Sequence, residues 1–391
     1  MLRSAHSNSR QSVALLAVAL LAAALVPPAG SGQSGLRREG GAWSRTFAGT
    51  MSAQSKLRIE GHGPVALEGG VAGEIRYTVT VSVTASNEAE ARRILERMLL
   101  RVVTERGMAT LIAPGGRALS TVSVKAPRLD AAMVSTSEGG VDARGIDGTL
   151  SVEAVGDLNV DRVGGDCNLF TGGGDVSAGQ MGGSVRCTTR AGRIEVKSAK
   201  GEAILTTDGG DIVGGQMGGP VRAHTGGGNV HIVSAAGTVN ATTGGGEIQV
   251  DRAAGAVTAR NILGPVTIGG AAGVQCENAS GAIRVGNIMG PMRVSTAMGS
   301  ILANLAGSRI ADSLLATANG DITVVIPSNV GVTVRADNES SDTMRRIVSD
   351  FSTIRARRQG THLVAEGPVN GGGPVVQIAA AGGTIYIRRQ R

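Results

Sequence analysis

Between Val141 and Val324 one pattern recurs eleven times: a glycine turn, usually a polar residue, then an aliphatic–any–aliphatic triplet. The aliphatic opening each triplet falls at Val141, Leu158, Val176, Ile194, Ile212, Val230, Ile248, Val266, Ile283, Ile301 and Ile322, a spacing close to 18 residues. A second triplet runs about nine residues out of phase, through Leu150, Cys167, Val185, Ala203, Val221, Val239, Val257, Val274, Met292 and Leu314. Alternation such as Ile194-Glu195-Val196 or Val185-Arg186-Cys187 is that of a strand with one buried face. Nine residues per strand and turn leave no room for a helix. Two such halves make one coil, and successive coils stack about 4.8 Å apart, so ten of them span roughly 48 Å. The predicted fold is all-β, a parallel β-solenoid of about ten two-strand coils with a small N-terminal α+β module. A rod of this kind offers long flat faces, and no single repeat is a pocket.

Two further columns keep the register. Thr171, Thr189, Thr207, Thr225, Thr243, Asn261, Asn278 and Thr296 recur just before one turn, where stacked hydroxyls are expected to share hydrogen bonds from coil to coil. Glycine runs such as 172–174, 226–228 and 244–246 are expected to supply the positive φ of tight turns.

Outside the repeat the pattern changes. Val13 to Val26 is an unbroken apolar run preceded by Arg3 and Arg10 and followed by Pro27-Pro28 and small residues, the form of a secretion leader over 1–32. It is shorter than the roughly 20 residues of a membrane span, so membrane attachment is expected only if the leader stays uncleaved. Residues 33–55 read as a linker and 56–130 as a capping module. In that module Glu74–Thr84 is predicted as a strand, and a helix is predicted from about Glu88 to Arg106. Asn87 caps it, Glu90 reaches back, and Gly107 closes it. Strands follow around 109–113 and 118–126. The solenoid is assigned to 131–326. Residues 327–391 are assigned to a second cap, made of the segment 342–358 and the last strand.

Composition narrows the function. The chain has 61 glycines and 2% aromatic residues, consistent with a thin core of Val, Ile and Ala. Net charge is +7, with many arginines near the C-terminus. Nucleic acid is not expected as a partner, because no aromatics lie beside the basic residues to stack on bases. Cys167, Cys187 and Cys276 all fall on inward phases. Cys167 and Cys187 lie on neighbouring coils at different phases, and whether they pair depends on geometry the sequence does not give.

The polar columns hold the candidate chemistry. Asp157, Asp175, Arg193, Asp211, Asn229 and Glu247 precede the first triplet, but their glycine spacing is not that of a calcium-binding β-roll. The nearest approach to a catalytic cluster is Asp157, Asp161 and Asp166, and the uniformly short turns leave no walls for a catalytic groove. His224 and His231 lack an acidic partner at ligand spacing, so no metal is expected, and no cofactor. The residues expected to make contacts are outward arginines of one sheet: Arg186, Arg222, Arg260 and Arg293.

The repeated Gly174-Asp175-Val176 and Gly210-Asp211-Ile212 alternate with Gly183-Ser184-Val185 and Gly219-Pro220-Val221, and Val124-Lys125-Ala126-Pro127 leads into the first coil. With the closing Gly371-Gly372-Gly373-Pro374 and Gly383-Thr384-Ile385-Tyr386-Ile387, the stretch from Lys56 to Arg389 resembles the bacterial exported putative-adhesin family of β-strand-repeat proteins. The resemblance implies an exported repeat protein of the periplasm or cell surface, without catalytic residues to carry over. Its expected role is an adhesin-like or envelope-scaffold surface meeting a cell-surface glycan or an envelope protein. The alternatives are a polysaccharide-acting β-helix enzyme and a structural protein that self-associates through its end coils.

Overall fold

The computed structural model describes residues 32–33, 35–39, 41–306, 310–339 and 346–390. The leader expected over 1–32 lies outside them apart from Gly32. The repeat folds as an all-β parallel solenoid of about 11 turns. One sheet stacks Val141–Ile146, Leu158–Val163, Val176–Met181 and their successors to Ile322–Ile326. The other stacks Ala131–Thr136, Thr149–Ala154, Cys167–Thr171 and so on to Ser313–Asn319. Equivalent aliphatics pair coil to coil, as in Val176 with Ile194, Ile212, Val230 and Ile248.

The two sheets bury different positions. In the second sheet residues one, three and five of each strand point inward, as in Val185, Cys187 and Thr189. In the first sheet the inward residues are one, three and six, as in Ile194, Val196 and Ala199. Two consecutive outward residues therefore precede the sixth, and the strand turns a corner there. Burying each Val, Ile or Leu removes its side chain from water at a gain of about 1.5–3 kcal/mol.

Most glycines in the turn after the second sheet serve close packing rather than positive φ. A Cβ on Gly174, Gly192, Gly210, Gly228 or Gly246 would collide with the backbone of the equivalent glycine one coil earlier. None of these five has a positive φ. Further along the same column Gly264, Gly281, Gly299 and Gly320 do, at 116°, 139°, 146° and 150°.

The threonine column is structural in a different way from that expected. Each hydroxyl bonds turn backbone, not another hydroxyl. Thr189, Thr207 and Thr225 donate to the carbonyls of Gly174, Gly192 and Gly210 in the preceding coil, at 2.9, 3.0 and 2.8 Å. Each also accepts from the glycine N–H three residues on, at 3.3, 3.2 and 3.1 Å. Where the turn changes conformation, that glycine N–H goes to the next coil instead: Gly264 bonds Ser280 and Gly281 bonds Met298. The column residue then needs only to donate, a role filled by asparagine at 261 and 278 and by threonine at 296 and 317. Asn261 donates to Gly246 and Gly264, and Asn278 to Gly264 and Gly281, leaving each Oδ1 buried without a partner.

The ends depart from the sequence expectation. Ala42–Met51, inside the stretch expected as a linker, is a ten-residue strand paired along its length with Ile75–Thr84. The helix is Glu88–Glu96 only. Asn87 caps it by accepting from the Glu90 N–H at 2.9 Å, while the Glu90 carboxylate reaches Ser86 rather than Asn87. The remainder of the predicted helix is the strand Arg101–Glu105, hairpinned onto Met108–Ile112. Its turn, Arg106-Gly107, has φ of 48° and 80°, the two positive values of a type I′ hairpin. Val102, Val103 and Thr104 are β-branched, and that local preference for strand prevails over the helical spacing.

Both ends of the stack are out of sequence order. Lys56–Gly61 and Val65–Glu68 form a rung between that of Met108–Ile112 with Leu119–Lys125 and that of Ala131–Thr136 with Val141–Ile146. At the far end Val375–Ala380 and Ile385–Arg389 insert between Ser313–Asn319 with Ile322–Ile326 and Val332–Glu339 with Ile347–Ser349. The last strand, expected as a cap, is thus an internal rung. The outer layer of the second sheet is the hairpin of Arg355–Gln359 and His362–Val369.

Candidate functional site

The four arginines picked from sequence do not form one line. Arg186, Arg222 and Arg293 share the second position of their strands, but Arg260 pairs with Thr242 and belongs to the fourth-position column. The second position of that coil is Thr258, and Arg260 lies three residues after the inward Val257. Two of the four are engaged, Arg222 with Glu202 and Arg260 with Glu277. Arg186 borders a shallow recess of about 320 Å³ with Met133, Asn168 and Ile204, and Arg293 lies several coils away.

The three aspartates are not brought together as a catalytic cluster. Asp157 and Asp166 precede strands of different sheets, at opposite edges of the coil, and Asp161 lies on the outer face of the first sheet. Each is a backbone acceptor for the next coil: Asp157 for the Asp175 N–H at 2.8 Å, Asp166 for Ser184 at 2.8 Å and Asp161 for Gln180 at 3.2 Å. The column continues, with Asp175 accepting from Arg193, Asp211 from Asn229 and Asn229 from Glu247. These carboxylates stitch turns together. They resemble the caps of helix ends more than acid–base pairs.

His231 does have an acidic partner, contrary to the sequence reading. Its Nε2 lies 3.1 Å from an Asp251 oxygen on the next coil, a separation in sequence that hides the neighbourhood. Partial burial works against the Asp251 charge, but hydrogen bonds from Gln249 and His231 outweigh it and hold the carboxyl below its usual range. Among the described residues no group of three His, Cys, Asp or Glu side chains is placed to hold a metal ion. The three cysteines are free and buried. Burial pushes the Cys167 and Cys276 thiols up to about 12 and Cys187 upward as well. They are inert small hydrophobes rather than nucleophiles.

An extended concave feature lies elsewhere, along the corner that ends the first sheet. Two cavities of about 700 and 1030 Å³ share Ser198 and Lys200 and so form one groove. It runs from the rung of Glu68 past Arg144, Arg162, Gln180 and Gln216 to Asn287 and Met289. Fifth-position side chains make one wall, with Gln180, Ser198, Gln216, Ser234 and Arg252 in register. The sixth position makes the floor: Met181, Ala199, Met217, Ala235 and Ala253, all buried. Across it stand Gly182, Lys200, Gly218, Ala236 and Ala254. Alanine and glycine there keep the groove open. The signal was present in the sequence as Gln-Met-Gly at 180–182 and 216–218 and Ser-Ala at 198–199 and 234–235. It went unread because two outward residues in succession break strict alternation.

The sequence matches no protein-family profile, and no curated protein matches it. Solved structures it is similar to are named as adhesion proteins. A putative cell adhesion protein from Clostridium sporogenes is 10% identical, with 89% of this chain and 100% of that chain covered and a TM-score of 0.20. A putative adhesin from Bacteroides fragilis is 12% identical, over 72% and 95%, with a TM-score of 0.26. A putative adhesin from Parabacteroides distasonis is 10% identical, over 88% and 96%, with a TM-score of 0.23. These values are too low to bear on function. Among the described residues no helix is long and apolar enough to cross a membrane.

Proposed function

We propose that the chain is a non-enzymatic exported repeat protein whose rigid rod presents an adhesin-like or envelope-scaffold surface to a cell-surface glycan or envelope protein. The observation that carries this reading is the fate of the carboxylates. Asp157, Asp166, Asp175 and Asp211, which would have to supply an enzyme's acid and base, each give one carboxylate oxygen to a backbone N–H of the next coil. A glycosidase needs two carboxylates facing one bond, one of them raised in pKa by its surroundings, and Asp157, Asp161 and Asp166 do not face one another. What repeats without interruption is surface, and a surface of many equivalent weak contacts favours long, repetitive partners.

The test is one incubation of the mature protein, beginning at Gln33, with a panel of envelope and host glycans, reading both retained protein and released reducing sugar. Retention without release is the expected result. Release that disappears in Asp157→Asn, Asp161→Asn or Asp166→Asn would overturn it in favour of an enzyme.

A further inference from the structure

The corner groove has a composition of its own. Its fifth-position wall alternates amide and hydroxyl, Gln180, Ser198, Gln216 and Ser234, at the coil spacing of about 4.8 Å. Among the described residues no hydrogen bond engages these four side chains. They differ in this from the threonine and aspartate columns, whose polar atoms are consumed by the fold. The floor is apolar and flat, built of alanine and methionine. Two cations border the groove without a carboxylate partner among the described residues, Lys200 and Arg252. A third, Arg162, lies two coils before Lys200 and holds only an exposed pair with its neighbour Asp161 at 3.4 Å. The acids at the groove are already engaged: Glu68 by Lys125, Asp147 by Arg128 and Asp251 by His231 and Gln249.

An occupant must therefore be long, polar along one edge, apolar across one face, and negatively charged. A chain of sugar rings has this form: C–H faces that rest on apolar surface, hydroxyls at the ring edge, and, in acidic polysaccharides, carboxylate or sulfate groups. We propose that the corner groove is the binding track for an extended anionic polysaccharide. Ring faces lie on the exposed apolar side chains of Ala236, Ala254 and Met289 above the buried Met–Ala floor, hydroxyls bond the Gln–Ser wall, and Arg162, Lys200 and Arg252 hold the acidic groups. From Arg162 to Arg252 is five coils, or roughly 24 Å, so several sugars are engaged at once and each coil need contribute little. This inference rests on the surface-binding reading above and assigns it to one edge of the rod.

The experiment measures binding of the mature protein to immobilised polygalacturonate, dextran sulfate and neutral dextran at low and high salt. Three double variants are compared. Lys200→Glu/Arg252→Glu removes the cations of the groove. Ala236→Phe/Ala254→Phe fills it at two exposed positions without touching the core. Arg186→Glu/Arg293→Glu makes the same change of net charge on the other sheet. The expected result is salt-sensitive binding to an acidic polymer and not to dextran, lost at least tenfold in both groove variants and changed less than twofold in the Arg186/Arg293 variant. The two acidic polymers separate carboxylate from sulfate recognition. Equal loss in the two charge-reversal variants with none in the phenylalanine variant would mean charge attraction alone and overturn the groove, as would equal loss in all three, which would show no preference for this edge. Binding undiminished by both groove variants would overturn it while leaving the surface reading intact. No binding to either acidic polymer also overturns it, whereas the glycan panel decides the broader reading independently.

Discussion

Thr207 and Thr206 are adjacent, chemically identical and placed oppositely, so valine at each separates the hydroxyl's role from its neighbourhood. Thr207 is fully buried, donates to the Gly192 carbonyl at 3.0 Å and accepts from the Gly210 N–H at 3.2 Å. Thr206 points outward in the same strand. Thr207→Val keeps shape and strand preference but leaves one carbonyl and one N–H without partners. At about 1 kcal/mol for each, the loss is about 2 kcal/mol. Contacts in a stacked solenoid run only to neighbouring coils, so the loss should be local. It should accelerate hydrogen exchange of the Gly210 amide and its turn by about thirtyfold, while coils four or more away change little. Thr206→Val should leave those amides as they are. Equal effects from the two substitutions, or none from Thr207→Val, would refute the claim that turn backbone bonding is what the column supplies.

The remaining predictions use the same logic of paired positions. Gly210→Ala places a methyl against the Gly192 carbonyl and should destabilise by at least about 1–3 kcal/mol. Gly209→Ala meets nothing within 4 Å and should be neutral or stabilising by up to about 1 kcal/mol, both read from chemical unfolding midpoints. His362 is hydrogen-bonded to Asp337 at 2.8 Å, and that bond together with the Asp337 charge raises its pKa above the usual value of about 6.5. A raised folded value means the pair's stabilisation is fully present below about pH 6.5 and is lost as pH rises through the folded midpoint. An NMR titration should show that midpoint above 6.5, returning toward it in Asp337→Asn. The three thiols should resist an aromatic disulfide reagent at pH 8 until the protein is unfolded, and rapid labelling of the native protein would contradict their burial.

The architecture was legible because its signal is repeated. One alternating triplet is ambiguous, but eleven at a fixed spacing fix strand, phase and stacking together. What escaped were features set between coils. The glycine column was read as a φ requirement because a sequence shows one turn at a time, whereas the Cβ of Gly174 would meet the turn of Gly156. From Gly264 onward the turn glycine N–H bonds the next coil, a switch that no local pattern displays. Arg260 faces outward from the same sheet as the other three arginines but two positions along its strand, and the His231–Asp251 contact was missed because it joins two coils. The helix after Asn87 was overextended because Val102 satisfied a helical spacing that three β-branched residues contradicted.

The order of the end rungs bears on what such a rod can withstand. In a simple solenoid the first and last rungs each have one neighbour and peel away first, since fraying there breaks a single parallel interface. Here the rung nearest the N-terminus, Lys56–Glu68, and the rung nearest the C-terminus, Val375–Arg389, each have a parallel neighbour on both sides. Pulling on the C-terminal side therefore loads a rung that must break two interfaces at once, whereas on the N-terminal side the strand Ala42–Met51, paired along Ile75–Thr84, takes the load before Lys56–Glu68 does. Beyond them the stack closes with antiparallel strands, and the outermost strand of the second sheet at the far end, Arg355–Gln359, is exposed along its whole length and carries three arginines. An edge of that charge opposes end-to-end pairing of identical rods. The same arrangement thus leaves the sides of the rod as its available surface, and the corner groove runs along one of them.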